Sequence, residues 1–91
     1  MTKKTGVVSL TSRELKHTWR IPIKITKRGD KYFFQFDFFG VVKGSMYKSR
    51  GSWWIMFVTP YAKRKKRAKI KSPEKYYKNP NLIIRKLLEV I

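Results

Sequence analysis

Apolar and polar residues alternate along the first half of the chain, and this alternation predicts antiparallel β-structure. Every second position from 19 to 25 is apolar: Trp19, Ile21, Ile23 and Ile25. This is the spacing of a strand with one buried face. Pro22 lacks an N–H donor, so we expect that strand at a sheet edge or bulged at this residue. Alternation resumes over residues 31–39 after a turn that contains glycine, which predicts a β-hairpin.

Glycines divide the next stretch into further short strands. Gly40 precedes a predicted third strand around residues 45–48, and Gly51 precedes a fourth at residues 52–59. Residues 18–59 are therefore expected to form an antiparallel sheet of about four strands, as a meander or a partly open barrel. Outside it we expect a loose N-terminus (residues 1–6), a short strand (7–10), a capping box that opens one helical turn (11–14) and a basic connection (60–79).

A C-terminal helix is predicted over residues 80–91, beginning at an Asn-Pro pair where the missing N–H of proline costs nothing. Its apolar residues cover most of its circumference, so it must pack on the sheet, on a second subunit or on both. Residues 1–91 are then a single α+β domain, with the helix packed on the antiparallel sheet. A homodimer through this helix or a sheet edge remains open.

The composition narrows the class of partner. The chain carries a formal charge of +18, from 23 Lys and Arg against 5 Asp and Glu. Such an imbalance destabilises the compact state unless a polyanion screens it, so we expect a nucleic acid as partner and no membrane. There is no cysteine and only one histidine, and we therefore expect no disulfide, metal or cofactor. The longest apolar run is far shorter than the ~20 residues of a membrane-spanning helix. Without a recognisable secretory signal, an intracellular protein, cytoplasmic or nucleoid-associated, is expected.

The positive charge is concentrated in one run between residues 63 and 71. Its basic members are Lys63, Arg64, Lys65, Lys66, Arg67, Lys69 and Lys71. Each phosphate that is neutralised releases counterions, so such a run supplies affinity that falls steeply with salt. It carries no base specificity, and a targeting signal or a solvated linker would have a similar composition.

Aromatic residues among the cations predict stacking on bases. The outer face of the first hairpin is expected to carry Arg20, Lys24, Lys31, Phe33 and Phe39. Stacking contributes ~1–3 kcal/mol per base; the alternative is that both rings belong to a second core layer. Trp53 and Trp54 are adjacent, so on a strand they point to opposite faces. One of them is then core and the other available to a base, and the pattern does not decide which.

Catalysis finds no support in the sequence, which has no paired carboxylates, metal-ligand cluster, nucleophile motif or phosphate-binding glycine loop. The tripeptide at residues 50–52, followed by a strand-like run and a Leu/Ile-rich helix, resembles HicA-type messenger-RNA-cleaving toxins. In that family histidine follows the glycine and serine, whereas Trp53 stands here. The resemblance therefore implies binding of RNA rather than cleavage.

The predicted function is non-catalytic binding of nucleic acid, with a preference for single-stranded DNA or RNA. Two alternatives remain open: a structural ribonucleoprotein component of the ribosomal type, and an architectural protein that binds duplex DNA. For the second, the combination of a basic sheet, exposed aromatics and a C-terminal helix is similar to small archaeal chromatin proteins, at the level of fold only.

Overall fold

Six β-strands and two α-helices follow one another in the computed structural model, which describes residues 2–12 and 16–91. The strands are β1 (Thr2–Ser12), β2 (His17–Arg28), β3 (Lys31–Asp37), β4 (Val41–Ser49), β5 (Ser52–Val58) and β6 (Lys66–Ile70). The helices are α1 (Pro73–Lys78) and α2 (Asn81–Val90). Strands that follow each other in sequence pair antiparallel, so the sheet is a meander in the order β1-β2-β3-β4-β5-β6.

The α+β class and the antiparallel sheet are confirmed, but the expectation of about four strands is wrong, because the sheet has six. The difference lies at its edges: β6 was not expected as a strand, and β1 contains the short strand expected at residues 7–10 but begins already at Thr2, within the stretch expected to be a loose N-terminus. β1 begins with a polar Thr-Lys-Lys-Thr segment, and β6 lies within the basic run. Charged residues are common on edge strands because they discourage pairing with other chains, and they mask the apolar alternation. The expected capping box includes residues 13 and 14, which lie outside the described part.

Tight turns set the register of two hairpins. Gly29, at the β2–β3 turn, has φ +62°, and the β4–β5 turn has two left-handed residues, Arg50 (φ +54°) and Gly51 (φ +79°). Two successive left-handed residues are typical of a type I′ turn, whose twist matches that of the flanking strands. The residue pairs Arg28–Lys31 and Ser49–Ser52 close these turns. The register of each pair therefore determines which side chains of the next strand point inward and which point outward.

Alternation gives the sheet a helix face, which packs on α1 and α2, and an opposite open face. The core lies between the helix face and the helices, and it contains Val8, Ile21, Ile23, Ile25, Tyr32, Phe34, Phe36, Val42, Met46, Ile55, Phe57, Ile70, Ile83, Ile84 and Leu87. Gly44 allows a side chain to pack directly on the sheet backbone in this layer. A Cβ at Gly44 would overlap the ring of Phe34 and the carbonyl oxygen of Met56, so the ring packs directly on the backbone of β4.

The helices are tied to the first strands by hydrogen bonds. Ser9 N–H donates to Asn81 Oδ1 (2.9 Å), and Lys4 Nζ donates to the Tyr77 carbonyl (2.7 Å). The α2 backbone approaches the two edge strands, β1 and β6, more closely than the strands between them. The sheet therefore curls around α2, with the helix face on the concave side and the open face on the convex side.

One polar cluster joins the sheet to α1. The Tyr32 hydroxyl donates to Glu74 Oε2 at 2.7 Å, and Lys27 Nζ lies 3.8 Å from the same oxygen. The hydrogen bond from Tyr32, together with the positive charge of Lys27, holds the pKa of Glu74 below its ordinary value. Burial is the main reason that the pKa of Tyr32 is raised. The cluster therefore favours the ionised carboxylate in the folded state.

Candidate nucleic-acid interface

The open face carries flat side chains in neighbouring strands. Phe33 on β3 opposes Ser45 on β4, which in turn opposes Met56 on β5. In the adjacent row, Tyr47 on β4 opposes Trp54 on β5. Phe33 is 40% exposed, and its cross-strand neighbour Ser45 is too small to cover the ring. Rings that stand on a solvent-facing sheet provide the surface on which unpaired bases stack.

Cations surround these rings. The basic side chains on the open face are Lys3, Arg20, Lys24, Arg28, Lys31, Lys43, Arg67 and Lys69. Among the strand residues within the described ranges, Asp37 is the one carboxylate on this face. Glu74 and Glu89 lie on the helix side, each within salt-bridge distance of a lysine. The open face therefore carries a net positive charge, with which it can attract a polyanion.

Trp54 and Arg67 form the closest pairing of a ring with a cation on this face. The guanidinium carbon of Arg67 lies 5.1 Å from the Trp54 ring centroid, within the ~6 Å over which a ring face attracts a cation. The two residues sit on adjacent strands, β5 and β6. A guanidinium held in this way can stack beside a base and still donate to a phosphate.

Two hollows lie between the open-face side chains. The first, of about 300 Å³, adjoins Phe33 and is bordered by Lys24, Gln35 and Lys43. The second, of about 230 Å³, shares Lys24 and Gln35 and continues to Asp37. A base stacked on Phe33 would therefore have an amide and two ammonium groups beside it. Stacking, hydrogen bonding and phosphate contact are available at the same place.

The residues that the sequence singled out are divided between the surfaces. The open face receives Arg20, Lys24, Lys31, Phe33, Trp54, Arg67 and Lys69. Trp53 packs against the core on the helix face, 6.5 Å from Tyr32 between ring centroids, so Trp54 is the tryptophan on the open face. Phe39 lies beyond the end of β3, in the β3–β4 turn, because the chain reverses there with Phe39 at φ +54°. It is not beside Phe33.

The basic run contributes to three parts of the fold. Lys63, Arg64 and Lys65 lie in the β5–β6 loop, Lys66, Arg67 and Lys69 lie in β6, and Lys71 follows β6. All are exposed. Strand alternation directs Arg67 and Lys69 to the open face and Lys66 to the helix side. The stretch expected as a connection thus includes a strand, and that strand places part of the run beside the rings.

On β4 and β5, sequence reasoning missed three side chains that the open face presents to a ligand, namely Lys43, Tyr47 and Met56. Their positions follow from the pairing of Phe33 with Ser45, which fixes the phase of β4 and, through β4, of β5. The third strand was expected only at residues 45–48, and so short a strand did not determine which side chains of β4 and β5 face outward. Extending the alternation to the full β4, Val41–Ser49, identifies all three.

Comparison with family models, with curated proteins and with solved structures gives no match for this chain. Within residues 2–12 and 16–91, no helix is long and apolar enough to cross a membrane. Across the same ranges, no three His, Cys, Asp or Glu side chains are grouped so as to hold a metal ion.

Proposed function

We propose that this protein binds single-stranded DNA or RNA on the open face of its sheet, without catalysing a reaction. The observation that carries the proposal is the combination of Phe33, Tyr47 and Trp54 with the surrounding lysines and arginines on one convex surface. Phosphates supply most of the affinity through counterion release. The rings add stacking energy that depends little on sequence.

The preference for single strands follows from the shape of the rings. In a duplex the base faces are already stacked on one another, whereas unpaired bases expose theirs. The Phe33 ring stands on the sheet surface beside a hollow of about 300 Å³, which accommodates a base lying flat. Binding to such a surface is therefore more favourable for an unpaired strand, which can stack on the rings, than for a duplex, which offers mainly its backbone.

An architectural duplex-binding protein is the second candidate, and Phe39 is the observation that favours it. This ring is 81% exposed at the tip of the β3–β4 turn, and proteins that bend DNA insert apolar side chains of this kind between base steps. A ribosomal-type component and a homodimer through α2 or a sheet edge remain predictions, as does an intracellular location.

The test measures affinity for a fluorescein-labelled oligo-thymidine and for a duplex of equal length at physiological salt, by anisotropy. We expect tighter binding of the single strand. A double variant of the open face, Lys24→Gln with Lys43→Gln, should weaken binding of the single strand at least about tenfold, because two ammonium groups no longer pair with phosphate.

The matched control removes the same charge from the helix side, with Lys75→Gln and Lys78→Gln on α1. Both control residues are exposed, and their substitution should lower affinity by much less. Equal losses of affinity for the two double variants would mean that overall charge, and not the open face, determines binding. Equal affinity for duplex and single strand would replace the first candidate by the second.

A further inference from the structure

An apolar cleft lies where the β1–β2 hairpin projects past the end of β3. It has a volume of about 350 Å³, and its walls include Leu10, Trp19, Ile21 and the rings of Phe38 and Phe39. β2 pairs with β3 only from Ile23 onward, so residues 17–22 of β2 pair with β1 alone. The cleft has room for a planar group of the size of a base in contact with aromatic side chains.

Asp37 gives this apolar cleft its polar character, together with Arg20. Asp37 Oδ1 accepts a hydrogen bond from Gly40 N–H at 3.2 Å, which holds the carboxylate in the turn. An ionised carboxylate offers about four acceptor sites, so this bond leaves capacity for a ligand. A carboxylate repels phosphate but accepts from the N–H groups of a base.

Phe39, which lines the cleft, has a backbone conformation that its residue type disfavours. Its φ is +54°, a left-handed value that is uncommon outside glycine, asparagine and aspartate. The ring is nevertheless 81% exposed, so the strain is not offset by burial in the core. Strained residues of this kind cluster at ligand sites.

Asp37 links the cleft to the open face. Asp37 borders both the cleft and the second hollow, and that hollow shares Lys24 and Gln35 with the hollow beside Phe33. A strand bound at Phe33 can therefore follow β3 to Asp37, a distance of about 14 Å at ~3.4 Å per residue. The lysines beside this path favour a polyanion. The carboxylate of Asp37 at its end favours a group with hydrogen-bond donors.

We propose that the cleft takes one base of the bound strand, with Asp37 accepting hydrogen bonds from its Watson–Crick edge, and that guanine is preferred. Guanine presents two adjacent donors, N1–H and the 2-amino group, whereas the other common bases place an acceptor beside their donor. The inference rests on the proposed function, because the strand that carries the base must lie on the open face.

The test compares oligo-thymidine with the same oligonucleotide carrying a single internal guanine. One good bidentate pair discriminates by about tenfold, so the wild-type protein should bind the guanine oligonucleotide about tenfold more tightly. Inosine, which lacks the 2-amino group, should lose most of this gain. In Asp37→Asn the amide oxygen still accepts from Gly40, and the guanine preference should disappear without loss of affinity for oligo-thymidine.

Two further variants separate the cleft from the open face. Phe39→Asn suits the left-handed backbone and should abolish the guanine preference while the protein stays folded, as checked by circular dichroism. Phe33→Ala should weaken binding of both oligonucleotides and keep the preference. Equal wild-type affinity for the two oligonucleotides, or a preference that survives in Asp37→Asn, overturns the assignment while leaving the proposed function standing.

Two other outcomes are equally decisive. A concentration-dependent dimer in sedimentation that Phe39→Asn abolishes would show that a second copy occupies the cleft. Failure of the wild-type protein to bind any of the oligonucleotides would remove the proposed function and the base site together.

Discussion

Phe33→Ala and the pair Lys24→Gln with Lys43→Gln should weaken binding in two distinguishable ways. Phe33 contributes a ring and no charge, so its truncation removes stacking without changing the number of phosphates that are neutralised. The two lysines border the same hollow but contribute charge and no ring. A salt titration can therefore separate stacking from counterion release at one location on the molecule.

The expected magnitudes follow from the structure and the two mechanisms. Removing the stacking of one base costs about 1–3 kcal/mol, a drop in affinity of about fivefold or more at every salt concentration. For single strands, the slope of log K against log salt changes by about 0.7 for each phosphate that is no longer neutralised. If both lysines bind phosphates, the slope becomes shallower by about 1.4, and the defect of the pair shrinks about sevenfold between 50 and 200 mM salt.

The assay is anisotropy of labelled oligo-thymidine at several sodium chloride concentrations, with circular dichroism as the check on folding. Phe33 is 40% exposed, so its truncation should leave the fold intact. Parallel lines for wild type and Phe33→Ala, with a shallower line for the lysine pair, are the expected result. A slope that changes in Phe33→Ala, or one that is unchanged in the lysine pair, would refute this division of roles.

Three further predictions concern stability and are read from thermal or urea unfolding. Gly44→Ala should destabilise the protein by about 1–3 kcal/mol or more, because the added Cβ overlaps a buried ring and a backbone carbonyl; an unchanged midpoint would contradict the packing described for Phe34. Arg50→Gly should stabilise it by up to about 1 kcal/mol, since glycine adopts the left-handed conformation of that turn without strain; a lower midpoint would show that the arginine side chain has a structural role. The pKa of Glu74 is lowered in the folded state, so its stabilising effect is complete above the ordinary carboxyl range and is lost as the pH falls through the lowered value. Glu74→Gln should therefore be less stable than wild type at pH 7 and should approach it at pH 3, and a gap that is the same at both values would exclude this linkage.

The central strands could be predicted because each has one clearly apolar face. Ile21, Ile23 and Ile25 alternate with polar residues, and the structure buries all three. The edge strands could be predicted only in part: the apolar stretch at residues 7–10 indicated the middle of β1, whereas the rest of β1 and the whole of β6 were not indicated. In β6 only Ala68 and Ile70 pack inward, and the other three residues, Lys66, Arg67 and Lys69, have the composition of a solvated linker.

The candidate site was predicted in part, because a single strand defines its outward residues but not their neighbours. Phe33 and Lys24 follow from the first hairpin alone. Alternation places the adjacent tryptophans of β5 on opposite faces but does not show which of them points outward. The assignment of Trp54 to the open face therefore required the register of β5 against β4. The position of Phe39 depended on where β3 ends, which alternation along residues 31–39 does not mark.

The bond between Ser9 and Asn81 also bears on the order in which the protein folds. The hairpins of the meander join residues that are close in sequence, so they can form early and with little loss of chain entropy. The contact between β1 and α2 spans 72 residues and must close a long loop. Because α2 follows every strand in the chain, the apolar side of the sheet stays uncovered during synthesis until α2 emerges. Until then the nascent sheet leaves its helix face open to solvent, and the chain is most prone to aggregation during this interval.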